Sequence, residues 1–64
     1  MYAVRVTITN RQDQILYFPR IPVKGDLIIL QNGMHKVVWT RLYTFSLEDT
    51  KCVGVVANIK VEEE

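Results

Sequence analysis

Pro19-Arg20-Ile21-Pro22-Val23-Lys24-Gly25-Asp26-Leu27-Ile28-Ile29-Leu30-Gln31-Asn32-Gly33-Met34-His35-Lys36-Val37-Val38 is the stretch whose reading decides the fold. A stiff proline segment runs into a Gly-Asp turn, an apolar strand follows, and Asn32-Gly33 reverses the chain into a second strand. A two-residue hairpin loop of type I′ needs φ > 0 at both central positions, which Asn-Gly supplies with little strain. Such a turn predicts a register in which Gln31 faces Met34, Leu30 faces His35, Ile29 faces Lys36, Ile28 faces Val37, Leu27 faces Val38 and Asp26 faces Trp39. Opposed residues share a sheet face and faces alternate along each strand. One face then carries Ile28, Leu30, His35, Val37 and Trp39; the other carries Leu27, Ile29, Met34, Lys36 and Val38. Both are substantially apolar, whereas an antiparallel sheet with one wet side shows a polar face.

The lead-in has its own logic. Pro19 and Pro22 fix φ and hold their predecessors extended. Gly25 can take a positive φ at a tight corner, and the short Asp26 carboxylate can bond nearby backbone N–H groups. Pro19-Arg20-Ile21-Pro22 also has the P-x-x-P form that aromatic-lined grooves bind, but one isolated copy reads as a rigid connector.

Outward from this hairpin, Tyr2 to Thr9 alternates cleanly, with Tyr2, Val4, Val6 and Ile8 on one face and Ala3, Arg5, Thr7 and Thr9 on the other. That is a half-buried strand. Residues 10–14 form a polar reversal, and Ile15-Leu16-Tyr17-Phe18 is a second short strand ended by Pro19. The strand after Asn32-Gly33 is expected to run toward Phe45, with a bulge or bend near Thr40-Arg41-Leu42. Ser46 and Asp49 have capping-box spacing, consistent with one helical turn or a plain loop. Lys51 to Val61 is the last strand, with Val53, Val55, Ala57, Ile59 and Val61 on one face. Residues 1–61 form one domain, and Glu62-Glu63-Glu64 is a solvated acidic tail.

These elements predict an all-β fold, a small barrel of about five antiparallel strands. The layout resembles SH3-like small barrels, and it resembles small phage or mobile-element proteins with an x-Pro-x-x-Gly-Asp-x-Ile-x-Leu core. The likeness spans residues 19–61 loosely and rests on Gly25, Asp26, Ile28, Leu30 and the valines of the next strand. It implies a fold and no activity, because such barrels host many functions.

Composition narrows the classes. Sixty-four residues make one domain at most, with nearly half of them hydrophobic, and so short a chain is marginal alone, so self-association would help it. No run of 18 apolar residues is present to span a membrane. The N-terminus begins on a strand pattern rather than a signal peptide. Cys52 is the only cysteine, which favours the cytoplasm over a secreted disulfide scaffold. Charge is uneven: Arg5, Arg11, Arg20, Lys24, Lys36 and Arg41 face only Asp13 and Asp26 in residues 1–47, while residues 48–64 are net acidic. A dedicated nucleic-acid binder shows a denser basic stripe.

No catalytic, cofactor or metal site is expected. His35 is the only histidine and Cys52 the only thiol, too few for a metal cage, and Cys52 lies in a valine-rich strand without an activating charge. No Gly-rich phosphate loop is present, and no small-molecule substrate is indicated. The reading is a non-enzymatic binding module whose partner is protein, another copy of itself included. Its interface is expected on Leu27, Ile29, Met34, Val38 and Leu42, because monomers seldom expose a large contiguous apolar patch. The alternative is weak single-stranded nucleic-acid binding, with Trp39, Tyr43, Tyr17 and Phe18 stacking bases and Arg20, Lys24 and Arg41 holding phosphates. Against it, so small a barrel needs large residues inside, which assigns Trp39 and Phe45 to the core.

Overall fold

A computed structural model describes residues 1–44 and 54–64. The described residues contain five strands: β1 (Tyr2–Ile8), β2 (Gln14–Phe18), β3 (Leu27–Leu30), β4 (Gly33–Leu42) and β5 (Val55–Glu63). They form one sheet in the order β2-β1-β5-β4-β3. The sheet curls into a half-barrel, consistent with a small SH3-like barrel, and no helix occurs among the described residues. Phe45, the Ser46–Asp49 capping box and Cys52 lie outside the described residues.

Three of the four pairings are antiparallel, as expected. The fourth is parallel: β5 lies between β1 and β4 and runs alongside β1, Val4 beside Ala57, Val6 beside Ile59 and Ile8 beside Val61. A parallel partner needs a long crossover rather than a hairpin, and here everything between β1 and β5 supplies it. These two strands have a neighbour on each side, so the core gathers along them. Val4, Val6, Ile59, Val61 and Ala57 are fully buried with Val37, and Ile8 nearly so. Leu16, Phe18, Ile21, Ile28 and Leu30 pack against this cluster from the flanks. Of the expected inner face of the first strand only Tyr2 departs, being exposed at the sheet end.

The central hairpin forms with a register two residues away from expectation. Leu30 stands opposite Gly33, Ile29 opposite Met34, Ile28 opposite His35 and Leu27 opposite Lys36. The turn therefore falls on Gln31-Asn32 rather than Asn32-Gly33. Gly33 has φ +124°, whereas Asn32 has no positive φ, so the type I′ turn does not form. A turn followed by one glycine in the left-handed half of φ space is the next commonest hairpin closure. A slip of two preserves face parity, so Ile28, Leu30, His35 and Val37 still point inward. His35 is 1% exposed, and its Nδ1 lies 3.1 Å from the Gly33 carbonyl.

Trp39 is the larger correction. Up to Val37, opposite Val61, β4 and β5 are in step; from Trp39, opposite Lys60, they are offset by one. Val38 is thus the extra residue of a β-bulge, lying before the expected bend. One inserted residue reverses the face parity of the strand beyond it. Trp39 then shares a face with Lys60, away from Ile59 and Val61, and is half-buried instead of belonging to the core. β5 continues to Glu63, with Glu62 opposite Lys36 and Glu63 opposite His35, both exposed.

This packing predicts an order of sensitivity. Ile59→Ala opens a cavity at the most buried point of the sheet and should cost about 2–5 kcal/mol, comparable to the whole stability of about 3–10 kcal/mol of a domain this size. Trp39→Ala, on the outer face, should remain folded. Thermal melts of the two variants check this, and an unfolded Trp39→Ala beside a stable Ile59→Ala would return Trp39 to the core.

Candidate functional site

The corner before β3 sets the geometry of the hairpin. The Asp26 carboxylate accepts the Val23 N–H at 2.9 Å and a guanidinium N–H of Arg20 at 2.8 Å. Its own N–H donates to the Val23 carbonyl at 3.0 Å, and Gly25 takes φ +96° to allow the reversal. The chain is then stitched to β4: Gly25 N–H donates to Val37 O and Val37 N–H to Asp26 O, both at 2.9 Å. The Thr40 hydroxyl donates to Pro22 O at 2.7 Å, and Pro22 is buried, so the proline segment is a tied connector. The Arg20 hydrogen bond, then the Val23 N–H, holds the Asp26 carboxyl below its ordinary range, and the same pairing raises Arg20.

β3 emerges from this corner as an edge strand with the sequence Leu-Ile-Ile-Leu. Hydrogen-bonding positions alternate along an antiparallel pair. Because Val37 N–H reaches Asp26 O, Ile28 and Leu30 address β4 with their backbones, while Leu27 and Ile29 turn theirs to the free side. The same two side chains are the exposed ones, Leu27 at 54% and Ile29 at 80%. Met34, opposite Ile29, is exposed at 45%. Edge strands are commonly blunted by Lys, Pro or an inward charge, and β3 has none of these. On the other side of the half-barrel β2 is also an edge, with Ile15 and Tyr17 exposed. No ladder joins β2 to β3; a shallow cavity of about 160 Å³ lies between Phe18, Pro19, Leu27 and Ile28.

The expected apolar interface is therefore brought together in part. Leu27, Ile29 and Met34 share the outer face of the hairpin. Val38 is the half-buried bulge residue. Leu42 is exposed, but beyond the bulge it stands opposite Ala57, on the inward-facing side at the strand end.

The expected cationic and aromatic set is divided. Arg20 is occupied with Asp26, and Lys24 lines a cleft with Gly25, Lys36 and Glu62 at the hairpin. Tyr43 sits just past β4, with its N–H bonded to Val56 O. Trp39 and Arg41 do come together: the Arg41 guanidinium lies over the indole, 4.2 Å from its centroid. Two further cations, Arg5 and Lys60, share their face. Sequence reasoning missed them because only the parallel β1–β5 register and the bulge bring them beside Arg41 and Trp39. Among the described residues no cluster of His, Cys, Asp and Glu could hold a metal ion, and no helix is long and apolar enough to cross a membrane.

No family model, no curated protein and no solved structure matches the chain. The likeness to small SH3-like barrels is accordingly one of fold, and no specific family is identified.

The corner carries a pH signature. A carboxylate held below its ordinary range stabilises the fold fully above that range, and the contribution fades as pH falls through the depressed folded value. Asp26→Ala should lower the melting temperature at neutral pH. The gap to the parent should then narrow on acidification to about pH 2. A gap that stays constant with pH would mean that the carboxylate charge does not hold the corner.

Proposed function

We propose that this protein is a non-enzymatic binding module that contacts protein, and first of all a second copy of itself, through β3 and the outer face of its hairpin. The observation that carries the reading is the coincidence at Leu27 and Ile29 of backbone groups turned away from β4, without partners among the described residues, with exposed apolar side chains on an uncharged edge. Pairing of this kind takes its affinity from main-chain hydrogen bonds and its selectivity from alternate side chains.

A second copy satisfies this edge with its own edge. In an antiparallel pairing with a twofold axis at Ile28, Leu27 stands opposite Ile29 of the other copy and Ile29 opposite its Leu27. The four outward backbone groups on each strand find partners, and four apolar side chains meet on one face. A self-complementary patch of this kind is what a twofold dimer requires. The half-barrel is also too small to bury much surface alone, so shared apolar area adds what the single chain lacks.

Light scattering at tens of micromolar should give twice the monomer mass of 7.5 kDa. Ile29→Lys changes an exposed position and should return a folded monomer, because a lysine on the edge blocks strand addition. Ile15→Lys, on the β2 edge, should leave the dimer intact. A folded parent that stays monomeric at that concentration, or an Ile29→Lys variant that still dimerises, sinks the reading.

A further inference from the structure

The bulge at Val38 creates a second surface that has nothing to do with the β3 edge. Beyond it, Trp39 and Arg41 join the outer face of the sheet centre, where β1 and β5 present polar residues. The registers set these side chains in two rows across three strands. Arg5 stands beside Asn58, which stands opposite Arg41; Thr7 stands beside Lys60, which stands opposite Trp39. Three cations, one indole and two hydrogen-bonding side chains thus share one face. Arg5 and Arg41 are separated by two inter-strand spacings, about 10 Å. None of the six is a carboxylate. The next row pairs Glu62 with Lys36, so the rim on that side is balanced.

The polar pair is already ordered. Asn58 Nδ2 donates to Thr7 Oγ1 at 3.1 Å and lies near Arg5 O and Ile59 O. Among the described residues this occupies the amide N–H groups and leaves Asn58 Oδ1 as an acceptor and the Thr7 hydroxyl proton as a donor. The Arg41 guanidinium sits over the indole, its central carbon 4.2 Å from the ring centroid, and Arg41 is exposed. An exposed guanidinium can take a nucleobase on its face, and its edge can take a phosphate.

We infer that these two rows bind single-stranded nucleic acid, with Arg5, Lys60 and Arg41 on the backbone phosphates and the Trp39–Arg41 stack against a base. Charge complementarity selects a polyanion, and the paired indole and guanidinium select one that carries planar groups. Three phosphate contacts make the affinity modest and salt-sensitive, with a slope of log K on log salt of about −2. The inference does not depend on the dimer, since none of its residues lies on β3.

Trp39 is the only tryptophan, so its fluorescence reports the site directly. Titration with a short oligouridylate in low salt should quench it, and binding should weaken roughly tenfold or more between about 50 and 200 mM salt. Arg5→Ala and Arg41→Ala should each weaken binding and flatten the salt slope, while Arg11→Ala, in the β1–β2 turn, should change neither. Amide shifts on titration should fall on Thr7, Asn58 and Lys60. No quenching up to millimolar oligonucleotide overturns the inference. So does binding unchanged in the Arg5→Ala, Arg41→Ala double variant. Quenching that inorganic polyphosphate reverses as readily as competing oligouridylate does would overturn base recognition and leave a plain anion surface.

Discussion

The parallel ladder between β1 and β5 governs the whole arrangement. It brings the first and last strands of the described chain side by side and puts both at the centre of the sheet. Central strands are buried on their inner face and flanked on both edges, so their valines and isoleucines make the buried core, with Phe18 packed against it from the flank. The two hairpins are then hung on either side, β2 outside β1 and β3 outside β4. Both outer strands become edges, and among the described residues no ladder joins them.

The bulge at Val38 divides β4 into two working lengths. Before it, β4 belongs to the hairpin and presents Met34 and Lys36 outward. After it, β4 belongs to the sheet centre and presents Trp39 and Arg41 outward. Without the extra residue, strand parity would turn Trp39 inward beside Ile59 and leave Thr40 outside. Bulges recur where a strand must re-aim a side chain, and here the side chains re-aimed are the indole and the guanidinium that stack on each other. The apolar outer residues of the hairpin and the cationic rows of the centre are thereby kept apart on one face.

Much of this architecture is legible from local patterns. Alternation locates four of the five strands closely, and it separates Val4, Val6, Ile59 and Val61 from their polar neighbours, because period-two burial needs no knowledge of partners. Gly33 marks the hairpin in the sequence, yet its place in the turn differs by one residue from expectation and the register by two. The dipeptide Asn32-Gly33 does not say which of its members takes a positive φ. The parallel pairing is not legible at all, since nothing in β1 or β5 alone encodes which strand lies beside it. The weakened alternation near Thr40 signals the bulge but places it too late, and that error puts Trp39 in the core. The proposed surfaces divide in the same way. Leu27, Ile29 and Met34 follow from hairpin parity, which a slip of two leaves intact, whereas Arg5 and Lys60 require the long-range register.

The two proposed surfaces rest on different physics and are geometrically compatible. Apolar strand pairing at β3 is nearly indifferent to salt, whereas phosphate binding at the sheet centre falls steeply with it. A twofold axis that pairs two β3 strands in antiparallel fashion stands perpendicular to the sheet, so both outer faces stay on the same side. In such a dimer the nearest cationic strands, the two β4 strands, are three inter-strand spacings apart, about 14 Å. The rows of Arg5, Arg41, Lys60 and Trp39 then form a pair of tracks on one continuous ten-stranded face. One flexible polyanion can occupy both, and the second contact becomes intramolecular once the first is made. Assembly would thereby convert a site that is weak in one copy, with only three cations to offer, into one that holds a longer strand.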